Sequence, residues 1–352
     1  MDLYEIIDRI PAPDEAARAA ARARWDSRAK PLGGLGLLET AIEDASALTG
    51  SADVDFGEKA ALILCADNGV VRQGVTQTGS GVTAAVARQL ALGRTSVCRM
   101  AAVAHCRVVP VDMGIRDFDG CDGVLDRRVG NGTADITAAP AMTRAQAERA
   151  ILTGIELVRD AAARGTRLLA AGEMGIGNTT TAAAVASVLL DRGAEDVTGR
   201  GAGLSDAGLE RKLRAVRRAV STNRPDASDA VDVLAKVGGF DLAGLCGVFL
   251  GGAFCRVPVL IDGFPCAVAA LCAARLCPRA VGAMLASHVS AEPAGALVLR
   301  ALGKQPLITA RMRLGEGTGA VAAMPLLDMA LAVYRDAYTF AEGGVAPYTP
   351  QC

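Results

Sequence analysis

Four times in this chain, a short apolar run with no polar alternation stops at an acidic residue and a glycine. ALILC (61–65) leads into Ala66, Asp67, Asn68 and Gly69, and RVVPV (107–111) into Asp112, Met113 and Gly114. RLLAA (167–171) leads into Gly172, Glu173, Met174 and Gly175, and VPVLI (257–261) into Asp262 and Gly263. A strand with one wet face alternates in polarity, whereas a strand covered on both faces does not. Helical patterns of ten or more residues lie between these runs and supply the cover. The expected fold is therefore α/β, a Rossmann-like parallel sheet flanked by helices. Ligands in such sheets bind beyond the carboxyl ends of the strands, so the four acid-glycine turns are expected around one crevice.

The intervening segments carry their own start and stop signals. In TRAQAERAILTGIELVRDAAARG, Thr143 and Gln146 form a capping box, Ile151, Ile155 and Val158 share one face, and Gly165 closes the helix. In SDAGLERKLRAVRRAV, Leu209, Leu213, Val216 and Val220 repeat that spacing. Residues 265–276, 290–302 and 319–335 also read as helices. Residues 1–50 and those after about 320 look helical with no strand between, so the two ends are expected to pack as a smaller helical domain. The expected division is 51–320 for the Rossmann-like catalytic domain and 1–50 with 321–352 for the helical one.

Composition narrows the partners. Half of the 352 residues are hydrophobic (51%), ample for a buried core, and 37 Lys and Arg nearly cancel 38 Asp and Glu. Such a balance offers no basic stripe for nucleic acid and no polybasic patch for a membrane surface, which leaves a small molecule as the expected partner. LAGLCGVFLGGAFC (242–255) is strongly apolar, but Arg256 ends it short of the roughly 18–20 residues of a spanning helix, so it reads as a buried core helix. The ten cysteines are scattered through apolar segments without a CxxC pair and read as reduced thiols. The opening MDLYEIIDRIPAPDEAARAAARARWD lacks the basic region and apolar core of a signal peptide, and the expected location is the cytoplasm.

Only two histidines, His105 and His288, are present, too few for a His-based metal site or a Ser-His-Asp triad. Glycine-rich turns carry more. GEMGIGNTT (172–180) follows a strand and opens a helix, GRGAGLSDAG (199–208) precedes another, and RLGEGTGA (313–320) a third. Each presents backbone N–H groups at a positive helix end. The first has nearly the spacing of a nucleotide triphosphate loop, but Asn178 stands where that loop needs lysine, which argues against ATP or GTP hydrolysis. A monophosphate suits it better, with a cation from elsewhere. Lys212, one helical stretch beyond the second turn, is the candidate, the plainer reading being a solvated helix face. Glu173 and Glu316 lie inside these turns, where a carboxylate makes poor packing and a good base or stabiliser of positive charge.

GEMGIGNTT, TGRGAGLSDAGLERK, PVLIDGF, SHVSAEP and MRLGEGTGA, with KPLGGLGLLE (30–39) and ADNGV (66–70), together resemble the nicotinate-nucleotide:5,6-dimethylbenzimidazole phosphoribosyltransferases of cobamide lower-ligand synthesis. The likeness runs from about residue 30 to 345. It implies transfer of phosphoribose from nicotinate mononucleotide to a ring nitrogen of an aromatic base, by a homodimer, with no metal and no cofactor. It further implies Glu316 as the general base, assisted by Glu173. Gly175, Ile176, Gly177, Asn178 and Thr179, with Gly201, Gly203, Lys212, Asp262 and Ser290, would hold the ribose phosphate.

This chain departs from the pattern around the incoming base. Asn68 stands where many members carry histidine, and TQTGSGVT (76–83) replaces a segment with tyrosine and proline. Thr76, Ser80, Met174 and Leu314 are the expected lining of the base pocket, although the hydroxyls of that wall are equally readable as structural. Dimethylbenzimidazole, another benzimidazole, a purine or a phenolic compound all remain open as acceptors. Rival readings are a non-catalytic sugar-phosphate or nucleotide sensor, which would not need Glu173 and Glu316, and a hydrolase, which would not need Met174 and Leu314.

Overall fold

In a computed structural model, which describes residues 1–349, six parallel strands form one sheet in the order β3-β2-β1-β4-β5-β6. They are β1 (Glu58–Ala66), β2 (Cys106–Gly114), β3 (Leu125–Asp126), β4 (Thr166–Met174), β5 (Val259–Ile261) and β6 (Met284–Ala286). The four strands expected from the apolar runs are all present. The two-residue β3 and three-residue β6 are additions to that expectation, because so few residues carry no periodicity.

Strand β1 shows why the sequence does not alternate. Ala60, Leu62, Leu64 and Ala66 enter one apolar layer, and Ala61, Ile63 and Cys65 enter the other. Helices Arg144–Ala163, Asn178–Leu190, Phe240–Cys255 and Phe264–Leu276 fill the first layer. Glu15–Ser27, Leu37–Thr49, Gly81–Ala91, Ser96–Val103 and Thr318–Asp336 fill the second. Helix Phe240–Cys255 is the central one, buried from Phe240 to Ala253, as its composition required. It lies so close to helix Arg144–Ala163 that a Cβ on Gly247 would sit 1.9 Å from the Ile151 carbonyl oxygen. Among the described residues, no helix is long and apolar enough to cross a membrane.

The capping box of Thr143 and Gln146 forms, and Gly165 takes the left-handed conformation after the helix. The helix expected over 290–302 is shorter, Gly295–Ala301. Residues 290–294 instead bend and turn before it, the Ala291 N–H donating to the Met312 carbonyl at 3.1 Å and the Gly295 N–H to the Glu292 carbonyl at 2.9 Å. The ends of the chain meet. Trp25 packs on Tyr334 with ring centres 4.9 Å apart, and the Phe340 N–H donates to the Ser27 carbonyl at 3.1 Å. Residues 350–352 of the expected helical domain, Cys352 included, lie outside the described residues. The nine cysteines within them are free.

Candidate active site

The direction of winding reverses between β1 and β4: the connections from β1 run outward to β2 and β3, those from β4 to β5 and β6. A cavity of about 380 Å³ opens at the carboxyl ends of β4, β5 and β6 on that side of the switch point. Its floor is the turn Glu173 to Thr179, and its walls are Val75 to Thr78, Arg200 to Ala202 with Leu204, Gly263 to Pro265, and His288, Ser290 and Glu292. Arg313 to Glu316 close the last side.

One end of the cavity is built to hold an anion. Gly177 begins helix Asn178–Leu190 in a left-handed conformation, which turns the first helical N–H groups toward the cavity. Lys212 is fully buried, and its Nζ donates to Thr179 Oγ1 at 2.8 Å. Burial pulls the Lys212 amine down to about 8, and the nearby Glu292 carboxylate opposes the change. Gly201, at φ +55°, donates its N–H to Glu292 Oε1 at 3.0 Å, and a Cβ there would crowd Thr179 Oγ1 at 2.9 Å and Lys212 Nζ at 3.4 Å. Two helices and a glycine turn thus converge on a buried ammonium group.

The other end carries carboxylates. Glu173 is 8% exposed, and its Oε2 accepts a short hydrogen bond from Asn178 Nδ2. Burial pushes the Glu173 carboxyl well up, and the charges of Asp262, Asp241 and Glu316 push in the same direction while Asn178 opposes. Glu316 sits between Gly315 and Gly317, all three with positive φ (+59° at the glutamate), and Glu316 Oε2 is buried with no hydrogen-bond partner among the described residues. Burial raises the Glu316 carboxyl too, whereas the Val97 N–H and the Thr95 side chain pull it back. Met174 and the 55%-exposed Leu314 place apolar surface beside these two acids. His288 is buried on the wall with Nδ1 3.2 Å from Ser287 Oγ, and burial lowers its pKa, so it is neutral at pH 7. His105 is an exposed left-handed turn residue preceding β2.

Of the residues singled out in the sequence, the cavity wall gathers Glu173, Met174, Gly175, Ile176, Gly177, Asn178, Thr179, Gly201, Ser290, Leu314, Glu316 and Thr76. Lys212 stands directly behind that wall. Ser80, Gly203 and Asp262 do not line it. Ser80 precedes helix Gly81–Ala91, Gly203 shapes the turn whose carbonyl Gln77 clasps, and Thr76 donates its own hydroxyl to the Thr78 carbonyl at 2.7 Å. Asp262 accepts from the N–H groups of Gly317 (3.1 Å), Gly319 (2.7 Å) and Ala320 (3.1 Å) and so fixes the loop that carries Glu316.

The expectation that all four acid-glycine turns surround one crevice is only half met. Asp67 accepts from Thr83 Oγ1 at 2.7 Å and the Arg116 N–H at 2.9 Å, and Asp112 from the N–H groups of Gly114 and Ile115 and from Arg128. Asp112 ties loops on the far side of the switch point, while Asp67 acts on the cavity floor only through Thr83, whose Oγ1 accepts the Ile176 N–H at 3.2 Å. Sequence reasoning missed Gln77, Arg200, Glu292 and Arg313 on the wall. Glu292 and Arg313 lay inside or beside the glycine and SHVSAEP motifs, where their position was the available signal.

Comparison with known proteins extends this geometry. A family model described as Phosphoribosyltransferase matches residues 10–345. The chain is 47% identical over 328 residues to the nicotinate-nucleotide–dimethylbenzimidazole phosphoribosyltransferase of Acetivibrio thermocellus, covering 93% of each chain. It is 42% identical over 335 residues to the protein of the same name from Escherichia coli, covering 95% of this chain and 93% of that one. Its structure resembles a crystal structure of CobT from Thermus thermophilus, with a TM-score of 0.90, 40% identity, and coverage of 95% of this chain and all of that one.

Proposed function

Since the chain belongs to the family of nicotinate-nucleotide–dimethylbenzimidazole phosphoribosyltransferases, we propose that it moves phosphoribose from nicotinate mononucleotide to an aromatic base such as 5,6-dimethylbenzimidazole. The products are α-ribazole 5′-phosphate and nicotinate, for cobamide nucleotide-loop assembly. The observation that carries the reading is the polarity of the cavity, with a buried lysine and glycine turns at one end and an unpartnered carboxylate oxygen beside apolar surface at the other.

The steps follow from that polarity. The nucleotide phosphate takes the end formed by Asn178, Thr179, Gly201 and Lys212, as a cation supplied from a separate helix replaces the missing loop lysine. The bond from ribose C1′ to the pyridinium nitrogen breaks with its electron pair going to nicotinate, which neutralises that ring and needs no acid. A ring nitrogen of the incoming base forms the new bond to C1′. The proton on its other nitrogen passes to Glu316, whose Oε2 has no competing donor. Glu173, on the same side, faces the positive charge that develops at C1′. Met174 and Leu314 supply the flat apolar contact that an aromatic acceptor needs and water does not.

A homodimer and a cytoplasmic location belong to the same proposal. The exposed apolar side chains Leu92, Val103, Met329 and Tyr338 lie on or next to helices of one layer, which supports a covered face there. The division into 51–320 and a helical unit from both ends is likewise proposed, and the contact of Trp25 with Tyr334 supports it.

The test is a panel assay with nicotinate mononucleotide and, separately, dimethylbenzimidazole, benzimidazole, adenine, p-cresol or no acceptor. Chromatography should find ribosylated product and equimolar nicotinate with at least one aromatic base. Nicotinate release that ignores the acceptor, or binding without turnover, would overturn the reading.

A further inference from the structure

Gln77 joins two walls of the cavity that the steps above leave separate. Its Nε2 donates to the Ala202 carbonyl at 3.0 Å, 125 residues along the chain, and makes a short hydrogen bond to the Gly203 carbonyl. Gln77, Ala202 and Gly203 are exposed, while Gln77 and Ala202 also line the cavity, so the contact lies on its rim. The backbone on each side is shaped for it. The Thr76 hydroxyl donates to the Thr78 carbonyl at 2.7 Å, a tight turn with Gln77 at its tip. Gly203 holds φ +102°, and a Cβ there would come 3.1 Å from Gln77 Nε2. A second tie comes from helix Asp206–Asn223, where Arg211 Nε donates to the Gly74 carbonyl at 2.9 Å. The next residue of that helix is Lys212, bonded to Thr179 at the anion end.

We propose that Gln77 is a positioning residue, a latch that fastens the wall Val75 to Thr78 to the phosphate turn and so keeps water from capturing C1′ in place of the aromatic acceptor. The inference rests on the proposed transfer reaction and names what decides between its acceptor and water. Breaking the bond to the pyridinium leaves C1′ electron-poor, and water is far more abundant than any aromatic base. If water took the acceptor's place, its oxygen would bond to C1′ and nicotinate would leave with the electron pair of the old bond. One water proton would pass to Glu316, and the product would be ribose 5-phosphate. Closing a site against water suppresses such side reactions. A carboxamide neither gives up nor takes a proton near neutral pH, so Gln77 acts through the placement of the two walls.

The phosphate turn is fastened on its other side too, where Glu292 Oε1 accepts the Gly201 N–H. Residues 200–204 thus strap the wall of Ser290 and Glu292 to that of Gln77, across the end where the phosphate is proposed to sit. The latch also gives Gly203 a role although it does not line the cavity, because a side chain there would crowd the Gln77 amide. Hydrogen bonds this exposed contribute little to folding stability, so Gln77 is replaceable without unfolding the chain.

The test is the ratio of nicotinate released to ribosylated product formed, counted by chromatography at saturating nicotinate mononucleotide and dimethylbenzimidazole. In Gln77→Glu the side chain keeps its length, but an ionised carboxylate has no proton to donate and faces two carbonyl oxygens. The nicotinate left over after each transfer, recovered with an equal amount of ribose 5-phosphate, should rise roughly 3- to 10-fold over the wild type, the factor held by one exposed hydrogen bond. Gln77→Ala should move the ratio in the same direction, with the melting temperature of both variants unchanged. A ratio that stays at the wild-type value in both variants would overturn the proposal, whether or not overall turnover falls, because a merely structural contact lowers release and transfer together. Failure of the wild type itself to form ribosylated product with any aromatic base would instead sink the transfer reading beneath it.

Discussion

Glu316 holds φ +59° with glycines at +88° and +78° on either side. A left-handed backbone costs a non-glycine residue roughly 1–2 kcal/mol, and such outliers persist where a side chain is needed at that spot. Glu316→Gly should therefore keep or gain stability, by up to about 1 kcal/mol in urea unfolding, even as it loses activity. A loss of stability would mean the carboxylate is structural. Lys212 poses the opposite question. Its amine, pulled down to about 8 by burial, regains its proton when a phosphate arrives, so nucleotide binding near pH 8 should take up a proton and weaken as pH rises further. Calorimetry in buffers of different ionisation enthalpy reads that uptake directly. Lys212→Met should weaken nucleotide binding roughly 10- to 100-fold, the range for a charge-assisted hydrogen bond, with an unchanged or higher melting temperature because a buried charge is gone. The carboxylates and this lysine were legible in the sequence because each broke a local rule: an acid between glycines, a cation missing from a phosphate loop. The contact of Asp241 with Asn68 was not, since nothing in DLAGLCGV or ADNGV reveals that these two segments, far apart in the chain, will meet.

At the scale of elements, the acidic strand ends divide by the neighbour they serve. Asp67 and Asp112 close loops beside β1 and β2, Glu173 enters the cavity, and Asp262 caps helix Thr318–Asp336. Their common motif was readable and their separate duties were not, because strand order alone decides which carboxyl ends meet. Asp262 links stability to chemistry. Asp262→Ala strips acceptors from three N–H groups and should cost about 1–2 kcal/mol, the range for losing a helix cap. It should also lower turnover by letting the Glu316 loop shift, measurable as a fall in kcat larger than any change in nucleotide affinity. A variant with full stability and full kcat would show that the cap does neither. The helix expected over 290–302 loses its first turn for a related reason, since the Ala291 N–H is taken by the Met312 carbonyl and the chain turns before Gly295.

For the whole molecule, the apolar runs were sufficient to give a parallel sheet covered on both faces, and the long helical periods to give its layers. The strands of two and three residues at its edges left no trace in the sequence because pairing, not pattern, makes them. The two chain ends are joined by Arg28, whose guanidinium donates to the carbonyls of Tyr334 (3.0 Å), Ala337 (2.5 Å) and Arg335 (2.9 Å). Arg28→Ala should cost roughly 2–3 kcal/mol by leaving these carbonyls to water or unpaired, with the unfolding midpoint as the readout. All of this scaffolding converges on one oxygen, Oε2 of Glu316. The decisive measurement is turnover of nicotinate mononucleotide with dimethylbenzimidazole in wild type and Glu316→Gln, with nucleotide affinity measured alongside. The account predicts a fall of roughly 10² to 10⁴ in turnover at unchanged affinity; turnover near that of the wild type would contradict it.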